Sequence, residues 1–123
     1  MRLLYVDDDR VNTLLFAETC RLMPGVQFES AASGAEAAEL IDGGFVPELL
    51  VIDLHLPDTD GYALLPALRA RLARRTPAVL CSADDPQALQ AAAHEAGFDL
   101  CWGKPVDLRT VMADIERLAG ARP

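Results

Sequence analysis

The chain is short of positive charge. Its 123 residues hold 11 lysines and arginines against 19 aspartates and glutamates, for a net charge of −8 at pH 7. A field of that sign repels phosphate backbones and anionic headgroups, which argues against direct binding to nucleic acid or to a membrane surface. Long apolar runs are missing too: none approaches the ~20 residues of a membrane span. The opening Met1-Arg2-Leu3-Leu4-Tyr5-Val6 meets Asp7 too early for the apolar core of a secretory signal. Cysteine is scarce. Cys20, Cys81 and Cys101 are odd in number and scattered among apolar neighbours, the pattern of buried thiols in a reducing compartment, so a cytoplasmic location is expected. No Cys or His stands at zinc spacing, and no repeat, low-complexity tract or linker interrupts the chain. Lysine is scarce as well: Lys104 is the only one, the other ten basic residues being arginine.

What is present reads as one globular domain, 51% apolar and 24% charged. Short apolar runs at Leu3–Val6, Val26–Phe28, Leu49–Ile52, Ala78–Cys81 and Leu100–Trp102 alternate with longer segments of helical period. The runs are continuous in apolarity rather than alternating, as strands covered on both faces require. Residues 10–23 put Val11, Leu14, Leu15 and Leu22 on one helical stripe. Ser33-Gly34-Ala35-Glu36 is a capping box, and Asp85-Pro86 places an acid cap before a proline at the first helical position. Behind Asp107 as cap, Leu108, Val111, Met112, Ile115, Leu118 and Ala119 recur at three and four. Pro66 falls early in the segment 62–72, so that helix is expected to start late or to bend. Five strands alternating with five helices predict an α/β fold, a parallel sheet with helices on both faces.

The chemistry collects at the ends of the strands. The first ends in Asp7-Asp8-Asp9, the third in Asp53 and the fourth in Ser82, while the fifth leads to Lys104-Pro105; the second ends in Ala31-Ala32. In a parallel sheet these ends share one edge, and ligands bind there where the strand order reverses. Of the common orders, the flavodoxin-like 2-1-3-4-5 makes the four strands with polar ends contiguous. Carboxylates converging within ~5 Å repel by roughly 3 kcal/mol per pair at an effective dielectric of about 20. A divalent cation and one lysine are the candidates to offset that. An all-oxygen ligand set suits a hard ion such as Mg²⁺, and such a site suits phosphoryl transfer. A compact ammonium in a chain otherwise built with arginine fits an acidic pocket.

Leu3-Leu4-Tyr5-Val6-Asp7-Asp8, then Val51-Ile52-Asp53-Leu54-His55-Leu56-Pro57-Asp58-Thr59-Asp60-Gly61, then Ser82-Ala83 and Lys104-Pro105 resemble the receiver domain of two-component response regulators (CheY-like), over essentially the whole chain. The resemblance implies that Asp53 accepts a phosphoryl group from a histidine kinase or a histidine phosphotransfer protein. It implies that Asp7, Asp8, Asp53 and the backbone carbonyl of His55 hold Mg²⁺. Ser82 would hydrogen-bond one phosphoryl oxygen and Lys104 ion-pair with another, with a cis bond before Pro105. The module would catalyse only its own phosphorylation and dephosphorylation. A downstream protein, or a weak dimer of an otherwise monomeric chain, would bind the face formed by the fourth helix, fifth strand and fifth helix.

Around these positions, Asp9 reads as the cap of the first helix, and Asp58 and Asp60 as solvated turn acids. His55 and Asp84 are candidates for tuning hydrolysis of the acyl phosphate, against plainer readings as a solvent-facing side chain and a turn acid. His94 reads as exposed. The departure from the family is Cys101, a small thiol where an aromatic reporter is usual, with Trp102 beside it as an alternative readout if it is less buried than expected. A receiver over residues 1–119 with a tail at 120–123 and no effector domain is expected, either stand-alone or cut from a larger chain. The motif style, with Asn12 and Gly97-Phe98-Asp99, also resembles receivers attached to hybrid kinases. Two rivals are a pseudo-receiver that only binds partners, and a haloacid-dehalogenase-type phosphatase using Asp7-x-Asp9 with Thr13. The second lacks room for a substrate cap and leaves Asp53 unexplained.

Overall fold

Five strands and five helices alternate along the chain in the computed structural model, which describes residues 1–120. They are β1 (Arg2–Val6), α1 (Arg10–Arg21), β2 (Gln27–Ala31), α2 (Gly34–Asp42), β3 (Leu49–Asp53), α3 (Gly61–Arg69), β4 (Ala78–Ser82), α4 (Pro86–Glu95), β5 (Leu100–Gly103) and α5 (Leu108–Gly120). The sheet is parallel throughout, in the expected order β2-β1-β3-β4-β5. Of the expected tail, Gly120 ends α5 and residues 121–123 lie outside those described.

Period-two alternation divides the core. On one face Leu4, Val6, Leu50, Ile52 and Leu80 pack under Ile41, Leu64, Leu65, Leu68 and Ala93, from α2, α3 and α4. On the other, Leu3, Tyr5, Leu49, Val51, Val79 and Trp102 pack under Phe16, Cys20, Val111 and Ile115, from α1 and α5. β1, β3 and β4 are apolar on both faces because both are covered. β2 differs: it begins at Gln27 and runs on to Ala31 with its burial alternating, since it is an edge strand. Its apolar run, 26–28, marked only its start.

Three helices add detail to the readings above. Val11, Leu14, Leu15 and Leu22 do form a stripe, but it faces out, each side chain being 57–64% exposed. The buried face of α1 is the opposite one, with Phe16, Cys20 and then Met23, held by the stacking of Phe16 on Tyr5 at 4.5 Å. α3 does not start late. It begins at Gly61 with Pro66 inside it, giving up the bond Pro66 would have donated to the Tyr62 carbonyl. At α2, Ser33 accepts the Glu36 N–H as expected, but Glu36 reaches back to the amide of Ala32 rather than to that of Ser33. Asp85 and Asp107 cap α4 and α5 through Gln87 N and Thr110 N.

Candidate functional site

Asp7 follows the last residue of β1 and Asp53 is the last of β3, and the register pairs Val6 with Ile52. The two carboxylates therefore leave adjacent strands side by side, on the face that also carries Tyr5 and Val51. With Asp8 they form one cluster in which each residue offers a carboxylate oxygen, all within 4.8 Å of one another. Asp7 and Asp53 are buried, 3% and 7% exposed, whereas Asp8 is open to solvent.

The lone lysine closes the cluster. Lys104 Nζ lies 2.8 Å from Asp7 Oδ2 and 3.0 Å from Asp53 Oδ1. Its backbone N–H donates to the Ser82 carbonyl at 2.8 Å, which ties the loop after β5 to the end of β4, and the Lys104–Pro105 bond is cis. Ser82 is buried and its Oγ accepts the Asp84 N–H at 3.1 Å, which turns the start of the loop into α4. α3 can close over the site because Gly61 has no side chain: a Cβ there would stand 2.9 Å from the Asp53 carbonyl oxygen.

Charge follows from this geometry. Burial raises the Asp53 carboxyl above its ordinary range; the Lys104 ammonium works against that, and Asp7 and Asp8 add to it. For Lys104, burial works downward, but its bonds to Asp7 and Asp53 outweigh it and hold the ammonium above its usual range. Three carboxylates against one ammonium leave a local excess of negative charge. The all-oxygen donor set, with one solvent-open member, fits a hard divalent cation.

The remaining candidates sort as follows. His55 is exposed and its backbone bridges to Asp60. Asp84 is exposed, and its backbone amide is what binds Ser82. Asp9 is the N-cap of α1, its Oδ1 accepting from Val11 N and Asn12 N, and that use argues against the phosphatase reading. Cys101 is half-buried, its thiol pushed up by burial. Trp102 is 4% exposed and its Nε1–H donates to Asp114 at 2.8 Å, so it is no surface readout.

Asp58 and Asp60 are exposed, as read from the sequence, and each also caps a helix. Asp60 caps α3 through Ala63 N. Asp58 caps α2 from across the fold, accepting Gly34 N and Ala35 N, each at 2.9 Å, and those two amides hold its carboxyl below the ordinary range. Sequence reasoning missed this clamp because the cap lies 24 residues from its helix. It also missed the phenol of Tyr5, which donates to Asp7 Oδ2 at 2.9 Å. That contact had a signal, since residues two apart on a strand share a face.

The chain belongs to the response regulator receiver family: the receiver-domain profile matches residues 3–116. It is 28% identical over 111 residues to the sensor histidine kinase RcsC of Escherichia coli, covering 90% of this chain and 11% of that protein. It is 31% identical over 117 residues to the transcriptional regulatory protein CpxR of the same species, covering 95% of this chain and 48% of that one. The chain thus spans less than half the length of either relative. Its fold superposes on that of a two-component response regulator from Clostridium difficile with a TM-score of 0.87 at 21% identity, covering 98% of this chain and 97% of the other. No described helix is long and apolar enough to cross a membrane.

Proposed function

We propose that this receiver takes a phosphoryl group from a phosphohistidine onto Asp53 and that the charged product alters its binding to another protein. The observation that carries the reading is the shared ammonium: Lys104 touches both Asp7 and Asp53 at the rim where the order of the parallel strands reverses. A carboxylate needs no general base to act as nucleophile. An Asp53 oxygen attacks phosphorus as the P–N bond to the imidazole breaks, and the electron pair of that bond stays on the departing nitrogen. Lys104 turns from Asp7 and Asp53 to one phosphoryl oxygen. Ser82 donates a hydrogen bond from its hydroxyl to another, its oxygen already anchored by the Asp84 amide. Asp7, Asp8 and Asp53, with the His55 carbonyl, would hold Mg²⁺, which when bound neutralises charge developing on the phosphoryl oxygens. Attack of water on the acyl phosphate returns Asp53 and inorganic phosphate, and His55 and Asp84 stand beyond the pocket as positions able to tune that step.

The histidine-bearing donor docks, in this reading, on the outward stripe of α1. That stripe adjoins the pocket because the α1 cap, Asp9, directly follows Asp8, and it holds four of the exposed large apolar residues. The downstream partner is assigned to the α4–β5–α5 face. There Cys101, smaller than the family's aromatic, lines an open groove with Pro86, Gln90, Ala91 and His94.

The test is intact-mass measurement after a small phosphodonor and Mg²⁺. The wild type gains a single phosphoryl increment and Asp53→Asn gains none. If the wild type gains none and its amide spectrum does not respond to beryllofluoride with Mg²⁺, the chain is a binding-only pseudo-receiver. If Asp53→Asn retains the increment, the assignment of Asp53 is wrong.

A further inference from the structure

Asp7 has few bonding positions left. Its Oδ1 accepts the Asp9 N–H at 2.9 Å, and its Oδ2 accepts both the Lys104 ammonium at 2.8 Å and the Tyr5 phenol at 2.9 Å. Each carboxylate oxygen offers about two lone-pair sites. Oδ2 is therefore filled, and the one site still open lies on Oδ1.

Tyr5 is built to stay where it is. It stands two residues before Asp7 on the same face of β1, 2% exposed, with its ring stacked on Phe16 at 4.5 Å and flanked by Phe28 at 6.2 Å. A phenol keeps its proton at neutral pH, so toward a carboxylate it is a donor. Packing alone would be served by phenylalanine. The hydroxyl adds one thing, a neutral hydrogen bond to a rim carboxylate that the ammonium also needs.

We propose that Tyr5 is a positioning residue of the cation site: its hydroxyl occupies Asp7 Oδ2, so that Asp7 presents Oδ1 alone to a divalent cation. It also keeps Oδ2 bonded when Lys104 turns toward the phosphoryl group. The first role rests on the cation-site reading above and the second on the phosphoryl-transfer reading. A partner that orients a ligating carboxylate typically accounts for ten- to a hundredfold in metal affinity.

Tyr5→Phe keeps the stacked ring and removes only the oxygen. Mn²⁺ binding, followed by the paramagnetic resonance signal of the free ion without any phosphodonor, is expected to weaken about tenfold or more in this variant. A near-ultraviolet difference spectrum on adding Mg²⁺ gives a second readout. The tyrosine signal should appear in the wild type and in Tyr62→Phe and vanish in Tyr5→Phe. An unchanged or tighter Mn²⁺ affinity in folded Tyr5→Phe overturns the proposal. Should Tyr5→Phe fail to fold, absence of a tyrosine signal in Tyr62→Phe overturns it instead. The underlying reading fails differently: a wild type that does not bind Mn²⁺, or an Asp8→Asn variant that binds it equally well, removes the cation site and the Tyr5 role together.

Discussion

Lys104 and Asp53 show how one pocket can both cost and supply stability. Removing the ammonium as Lys104→Met leaves two carboxylates, 0% and 9% exposed at their side chains, without their shared partner. Breaking a buried pair in this way costs on the order of 3 kcal/mol. Thermal unfolding in chelator should show that loss, and Mg²⁺ should restore part of it. Asp53→Asn should act in the opposite direction. A carboxyl raised by folding favours its protonated form, so its contribution to stability is present at acid pH and is lost as pH rises through the folded value. The neutral amide escapes that loss. Asp53→Asn should therefore melt above the wild type at neutral pH in chelator, with the gap closing on acidification and narrowing when Mg²⁺ binds the wild type. Equal melting temperatures across that range would show that the rim carboxylates are not in conflict.

At the scale of elements, the sequence displayed some features plainly and concealed others. The rim was legible because Asp7, Asp53, Ser82 and Lys104 each end or follow an apolar strand, and a parallel sheet gathers such ends at one edge. The stripe of α1 was legible as a stripe, but helical period says which residues share a face and not which face turns inward. Phe16, Cys20 and Met23 form a second apolar line opposite the first, and aromatic stacking on Tyr5 decides between them. The outward line has a consequence. Leu14→Ser with Leu15→Ser should slow phosphoryl transfer from a phosphohistidine protein by tenfold or more, about 1.4 kcal/mol of lost docking, and leave transfer from a small phosphodonor unchanged. Slowing of both would place the stripe in folding rather than in docking. The Asp58 clamp was illegible because nothing local to α2 names a cap that arrives from the loop after β3. Its depressed carboxyl contributes stability above the ordinary carboxylate range and loses it as pH falls through the folded value. Asp58→Ala should melt below the wild type at neutral pH, and the difference should fade in acid.

The whole molecule is a sheet with two cores and one reactive edge. The cores are covered by helices on both faces, so β3 and β4 are apolar until their last residues, and every charged group of the site is placed by a strand terminus or the loop that follows it. That arrangement explains why a chain only 21% identical to a solved response regulator keeps the same fold. It also explains where this receiver can vary: Cys101 and Trp102 lie on β5, outside the carboxylate cluster. The central claim concerns one atom, the oxygen of Asp53 that receives phosphorus. Borohydride reduction of the phosphorylated protein, followed by peptide mapping, converts an aspartyl phosphate to homoserine at the residue that carried it. Homoserine at position 53 is the predicted result; homoserine at position 7, 8 or 9, or none in a protein that has gained the phosphoryl mass, would contradict the account.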